Sequence, residues 1–326
     1  MDEFTRTSGG RVTVRDMLVD AQRRLDAAGI DSASVDAAEI VALVMGTTRS
    51  RLVLQDTVDD DRRVRIEQLL TRRAMRVPLQ HLVGSAPFRR IEVAVGPGVF
   101  IPRPETELVT EAAIRELATV PQPKAVDLCT GTGAIAISLA IEVPGSRIHA
   151  VEVDEQAIAW THQNAAGLEA RIAEAGSSVE VVHDDAGLVA DEGHALAESR
   201  GVIDVVIANP PYIPNRMVPR DPEVRDHDPR RALFGGEDGL DVARAVAGTA
   251  AILLRPQGLL VMEHADSQGP DAIDGGMPSL LAAHVVDGHP MWQQIVDRID
   301  YNGRPRFTMA RRTSWAGPPP TVTEDS

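Results

Sequence analysis

Asn209-Pro210-Pro211-Tyr212 sets a carboxamide, two stiff imino acids and a phenol ring at the end of the apolar run Ile203 to Ala208. Prolines lack N–H donors and hold an extended backbone, so the strand ends there in a rigid turn. In open α/β sheets this carboxyl end is where ligands bind. The turn offers two acceptors, the side-chain carbonyl of Asn209 and the backbone carbonyl of Pro210, beside the face of Tyr212. Two such acceptors can grip both N–H groups of an amide or exocyclic amine and turn its lone pair toward an electrophile. The same oxygens stabilise charge gathering on the nitrogen. The ring face can stack on a planar amide and attract developing positive charge, worth ~1–2 kcal/mol when desolvated. A strand that merely stops would account for the prolines but not for the amide and the ring.

A second constellation supplies the electrophile. Asp127-Leu128-Cys129-Thr130-Gly131-Thr132-Gly133 follows another apolar run and opens a helical stretch. Glycines at such a turn let backbone approach a ligand where a Cβ would clash. Glu152 ends the next strand, 21 residues after Gly131, placed to accept from ribose hydroxyls. Gly131, Gly133 and Ala136 also satisfy the dinucleotide spacing, so the loop alone does not separate NAD from S-adenosylmethionine. Three features favour the latter. Asp127 can bind a methionine ammonium, whereas it would repel a pyrophosphate. Asp184 and Asp185 follow the third strand, where an acid can accept from an adenine amine. Hydride transfer has no use for the Asn209 turn. In-line methyl transfer does, and an amide nitrogen being alkylated becomes acidic, so no strong base is required.

These residues need a scaffold that brings strand ends together. Candidate strands at 124–128, 148–153, 179–183, 203–208 and 258–263 alternate with helical stretches such as 133–141 and 155–170, the signature of a doubly wound parallel sheet. Ile295 to Tyr301 and Arg306 to Arg311, separated by Asn302-Gly303, read as an antiparallel hairpin with a two-residue turn. Upstream, Val14, Met17, Leu18, Ala21 and Leu25 recur at helical spacing. Further helices are expected from Ser32 or Ser34 to Val44, from Thr47 or Thr48 to Leu54, and from Asp59 to Arg76, closed by Pro78. The fold class is therefore α/β, a Rossmann-like domain with a small helical domain before it. The divisions are 11–84 helical, 85–100 a β-hairpin linker with its turn signal at Gly96-Pro97-Gly98, 101–315 the α/β domain, and 316–326 a disordered tail. The 214–240 connection, with Pro214, Pro219, Pro222 and Pro229, reads as a lid or substrate rim. The Arg-rich stretch 62–76 reads first as a solvated helix face and second as a partner-binding one.

Composition narrows the classes. The net charge of −15 argues against wrapping naked nucleic acid. Aromatic residues make up only 3% of the chain, so Tyr212 at a motif carries weight. The single cysteine, Cys129, forbids an internal disulfide and suits a reducing cytoplasm. No run approaches the roughly 20 apolar residues of a membrane helix, and the N-terminus lacks an apolar signal core. None of the nine histidines falls in a zinc pattern, so no metal is expected.

Phe100-Ile101-Pro102-Arg103-Pro104-Glu105-Thr106-Glu107, Asp127 to Gly133, Asn209 to Ile213 and the stretch around Asp228-Pro229, Ala232-Leu233 and Gly235-Gly236 together resemble the peptide chain release factor glutamine N5-methyltransferases, the HemK or PrmC family. The resemblance runs over roughly residues 78–312. Asn-Pro-Pro-Tyr occurs in nucleic-acid amino methyltransferases too, whereas the Ile-Pro-Arg-Pro-Glu-Thr-Glu segment before the loop is highly specific. The resemblance implies methyl transfer from S-adenosylmethionine to the glutamine of the Gly-Gly-Gln (GGQ) motif of class 1 release factors. It implies that Asn209, Pro210, Pro211 and Tyr212 hold that amide. Asp127, Cys129, Thr130, Gly131, Thr132, Gly133, Glu152 and Asp185, with Asn209, Arg103 and Thr106, are implied to hold the cofactor. The helical domain is implied to bind the release factor, with no direct DNA or membrane partner. Cys129 stands where relatives usually have Gly. An ordinary φ is expected there, since a positive one costs a non-glycine residue about 1 kcal/mol. Ala186 stands where some relatives carry an aromatic near the adenine. The rival readings are a nucleic-acid amino methyltransferase, a dehydrogenase, and a non-enzymatic binding module.

Overall fold

The computed structural model of the chain describes residues 12–273 and 275–314. It divides into two compact units, one of residues up to Ser85 with Pro219–His227, the other of Ala86–Val218 with the residues from Asp228 onward.

In the first unit, helices Val14–Ala27, Ala33–Met45 and Asp60–Ala74 pack their apolar stripes together around Leu25, Ile40, Ile66 and Leu70. Thr13 and Asp59 cap their helices through side-chain oxygens. Gly46, left-handed, ends the second. Arg49–Leu54 is a 3₁₀ turn. A two-stranded pairing of Val12–Thr13 with Thr57–Val58 closes one end.

The second unit is built on a seven-stranded sheet in the order 292–299, 305–312, 254–263, 203–208, 124–128, 147–152, 178–183. The last five are parallel, and the first two form an antiparallel edge hairpin. Helices Thr106–Leu117, Ala134–Glu142 and Glu155–Gly167 cover one face, and Asp241–Leu253 the other. All six residues of Ile203–Ala208 are buried, as a central parallel strand requires. This is the Rossmann-like fold that the alternating pattern predicts.

Two local expectations fail. The linker strands Ser85–Phe88 and Ile91–Ala94 turn at Arg89-Arg90, not at Gly96-Pro97-Gly98. Arg89 takes φ +50° there, held by Glu107, Glu111 and Glu142. Gly96 and Gly98 instead lie against Trp160 and Gln156. The C-terminal strands are joined by residues 300–304, because the Asp300 carboxylate accepts from the backbone of Asn302 and Arg304 and from the Arg306 guanidinium. The 214–240 connection contains helical turns Pro222–His227 and Arg230–Leu233, and Ile213 pairs with Phe234. The expected tail, 316–326, lies outside the described residues. Among the described residues no helix is long and apolar enough to cross a membrane.

Candidate active site

The 124–128 strand has neighbours 147–152 and 203–208 on its two sides, so chain order reverses beside it. Leu128 pairs with Ala208, which sets Cys129 and Asn209 side by side at the carboxyl ends of their strands. The loop and the proline turn thus meet at the topological switch point.

The loop is fastened from below and behind. Asp127, fully buried, accepts through Oδ2 from the Thr130 hydroxyl and from the Ala136 backbone N–H. Its Oδ1 is sealed from solvent with no partner among the described residues. A carboxyl in that position shapes the loop. Burial pushes its pKa up to about 7, against the two hydrogen bonds. Thr161 donates to the Gly131 carbonyl at 2.7 Å and Asn164 to that of Thr132 at 2.9 Å. Neither residue carries a signal in the sequence beyond its place on a helix.

The two loop glycines differ in purpose. Gly131 has φ +59°, and a Cβ there would meet nothing within 4 Å. It faces open space, as a residue that lets a ligand approach must. At Gly133 (φ +79°) a Cβ would come within 3.0 Å of Thr161 and 3.2 Å of Ile137. That glycine is required by helix packing. Cys129 has φ +63°, against the ordinary φ expected. The bond from Thr130 N to the Val151 carbonyl, 3.0 Å, pulls the chain across to the neighbouring strand and demands the sharp turn.

Glu152 ends its strand nearly buried and accepts from Gly131 N at 2.8 Å and from the N–H groups of Val153 and Asp154 at 3.0 Å. Asp184 is held by His194 and by the backbone of Ala195 and Asp185. Asp185 is exposed, and one of its oxygens accepts from Gly187 N. Of the two acids, Asp185 is the one with an oxygen to spare.

The proline turn is clamped on several sides. Asn209 donates from Nδ2 to Thr106 Oγ1 at 3.3 Å, which leaves its carbonyl oxygen on the opposite side of the amide. Pro210 is buried, and Pro211 and Tyr212 are half-buried. Gly235 and Gly239 press against the turn so closely that a Cβ on either would lie 2.3 Å from the carbonyl oxygen of Pro211 or Tyr212. Gln268 donates to the Tyr212 carbonyl at 3.0 Å while its own carbonyl accepts from Ala265 N at 3.0 Å. Burial, with the nearby Glu263 charge adding to it, pushes the Tyr212 phenol well above its ordinary value, so the ring acts as a neutral surface. Arg103 pairs with Asp228 at 2.6 Å and lies over the Phe100 ring. Thr106, expected on the cofactor, is buried with its hydroxyl accepting from Asn209. Sequence reasoning missed Glu263 and Gln268. An acid closing an apolar parallel strand, as Glu152 does, is the signal that could have found the first.

A family model described as the PrmC N-terminal domain matches residues 16–84, and one described as the methyltransferase small domain matches residues 90–220. The chain is 44% identical to a release factor glutamine methyltransferase of Streptomyces coelicolor, over 90% of this chain and 95% of the relative. It is 41% identical to a release factor glutamine methyltransferase of Mycolicibacterium smegmatis, over 90% and 95%. Among solved structures, a protein-(glutamine-N5) methyltransferase (release factor-specific) of Alicyclobacillus acidocaldarius is 23% identical with a TM-score of 0.36, covering 67% of this chain and 98% of that one.

Proposed function

This chain belongs to the release factor glutamine methyltransferase family, and we propose that it methylates the side-chain amide nitrogen of the glutamine in the GGQ motif of class 1 release factors. The observation that carries the reading is Asn209 lying beside the glycine loop with its amide nitrogen tied back to Thr106 and its oxygen turned away.

The residues at the switch point fit S-adenosylmethionine. Open space faces Gly131, Glu152 lies beside it, and Asp185 keeps an oxygen for an adenine amine. Cys129, Thr130 and Thr132 contribute backbone, and Asp127 holds them in shape. When bound, S-adenosylmethionine supplies a methyl group on a sulfonium. The chain's own part is orientation. Asn209 Oδ1 and the Pro210 carbonyl accept the two N–H groups of the glutamine amide and turn the nitrogen lone pair forward. They stabilise charge on that nitrogen as it loses its amide resonance. Tyr212, held by Gln268 and Gly239, covers the plane of the amide. The nitrogen then sheds its proton to water.

The helical unit is read as the release-factor-binding part, and the protein as cytoplasmic. The chain's net charge of −15 supports a protein substrate in preference to DNA. Incubation with purified release factor and labelled S-adenosylmethionine, followed by mass spectrometry, tests the reading. A GGQ peptide one methyl heavier is expected, and label on nucleic acid alone would overturn it. Asn209→Ala should lose transfer while keeping cofactor affinity. A large loss of cofactor binding would make Asn209 a cofactor ligand instead.

A further inference from the structure

Met262 pairs with Ala208, so Glu263 and Asn209 end adjacent parallel strands at one level. Thr106, the first residue of helix Thr106–Leu117, stands between them. A hydroxyl has one proton to give. Thr106 Oγ1 receives the Asn209 amide N–H at 3.3 Å, which leaves its own proton for a second acceptor, and the Glu263 carboxyl at the neighbouring strand end is the acceptor available to it. A one-way relay from Asn209 through Thr106 to Glu263 would thus terminate on an acceptor.

Glu263 is 1% exposed, and its Oε2 has no partner among the described residues. The strand it ends is apolar and buried from Leu259 to Met262. A carboxyl costs free energy in such a place and packing gives no reason for it. Arg306 and His264 face it as cations or donors, while Glu105 and Tyr212 add negative or phenolic groups.

We propose that Glu263 is a positioning residue which, through Thr106, fixes the side of the Asn209 amide that meets the substrate. This deepens the reading of Asn209 given above and rests on it. Without an acceptor at position 263 the Thr106 hydroxyl is released to donate toward Asn209 Oδ1. The amide then turns over and presents N–H groups to the substrate's N–H groups, where it should present an oxygen.

The test uses the full-length protein, purified release factor and labelled S-adenosylmethionine. Glu263→Met and Thr106→Val each remove the relay with little change of volume. Each is expected to lower kcat roughly 100-fold, the scale of a misplaced reactive group. Glu263→Gln keeps an acceptor and Thr106→Ser keeps the hydroxyl, so both should stay within about tenfold of wild type. Cofactor Kd should remain within about threefold in all four. The double variant Glu263→Met with Thr106→Val should cost no more than either single change, because the two act as one unit. Unchanged kcat in Glu263→Met, multiplicative losses in the double variant, or cofactor affinity falling in step with kcat would each overturn the proposal. Should Glu263→Met fail to fold, the Thr106 pair decides: loss in Val with retention in Ser supports the relay, and retention in both sinks it. Wild type run alongside separates the two readings, since absence of methylated release factor there counts against the proposed function and not against Glu263.

Discussion

Gln268 Nε2 stands 3.0 Å from the carbonyl oxygen of Tyr212. The bond ties the far end of the proline turn to the segment that follows the 254–263 strand. Gln268 is itself 6% exposed, and its carbonyl is taken by Ala265 N–H, so the amide cannot rotate freely. Replacing it with Ala leaves the Tyr212 carbonyl buried without a donor, at a cost of about 1–3 kcal/mol. Stability should fall by about that amount. Transfer should fall more than cofactor binding, since the contact orders the ring and not the loop. Melting temperature and a kcat-against-Kd comparison on Gln268→Ala check both halves.

Cys129 holds φ +63° without glycine's freedom. Left-handed backbone costs a non-glycine residue about 1–2 kcal/mol. Cys129→Gly relieves that strain but loosens the unfolded chain, so the net gain should be about 1 kcal/mol or less. A β-branched residue there should lose stability outright. Burial and the charges of Glu152 and Asp127 push the thiol well above its ordinary value. The native protein should therefore react slowly with a thiol reagent and rapidly in denaturant. Fast labelling of the native state would contradict the packing described.

Arg73, 6% exposed, donates from Nε to Asp36 at 2.7 Å and from a terminal nitrogen to Glu223 at 2.8 Å. Burial alone would raise the Glu223 carboxyl. The hydrogen bonds it accepts from the Arg73 and Arg76 guanidiniums, with the backbone beside it, outweigh that and bring its pKa down to about 2. A depressed carboxyl stabilises above its unfolded pKa and loses that contribution as pH falls toward about 2. Arg73→Met leaves Asp36 buried and unpaired, which costs about 3–5 kcal/mol. Arg73→Met with Asp36→Leu should cost clearly less than Arg73→Met alone. Urea unfolding of the three proteins at neutral pH measures the difference. Equal losses would mean the pair is not the source.

The strands and both corner motifs were legible because they depend on local pattern. Ile203 to Ala208 is apolar because it is central, and the prolines after it end the ladder by their own chemistry. What could not be read depends on partners distant in sequence. The Arg89 turn exists because Glu142, 53 residues later, accepts from its guanidinium. Asn302-Gly303 reads as a two-residue turn, but the Asp300 carboxylate captures the backbone two and four residues on and lengthens the loop. The positive φ of Cys129 comes from a bond to the Val151 carbonyl. The role of Glu263 depends on a threonine far upstream, and no periodicity links the two.

Two buried carboxyls, Asp127 and Glu263, are both pushed to about 7, in each case by burial working against hydrogen bonds. Their unfolded values lie near 4. Between those limits the folded state binds more protons than the unfolded one, so stability falls as pH rises. The contribution is fully present below about pH 4 and is lost as pH passes through about 7. His149 and His284, lowered by burial, act in the opposite sense below their ordinary values, so the wild-type profile is a sum. Variants isolate the parts. Asp127→Asn removes one titrating group while keeping an acceptor for Thr130, and Glu263→Gln removes the other. Melting temperature followed from pH 5.5 to 8.5 should fall most steeply in wild type, less in each single variant and least in the double. A profile for Asp127→Asn parallel to wild type would mean that this carboxyl is already ionised throughout, and that the loop is built around an anion.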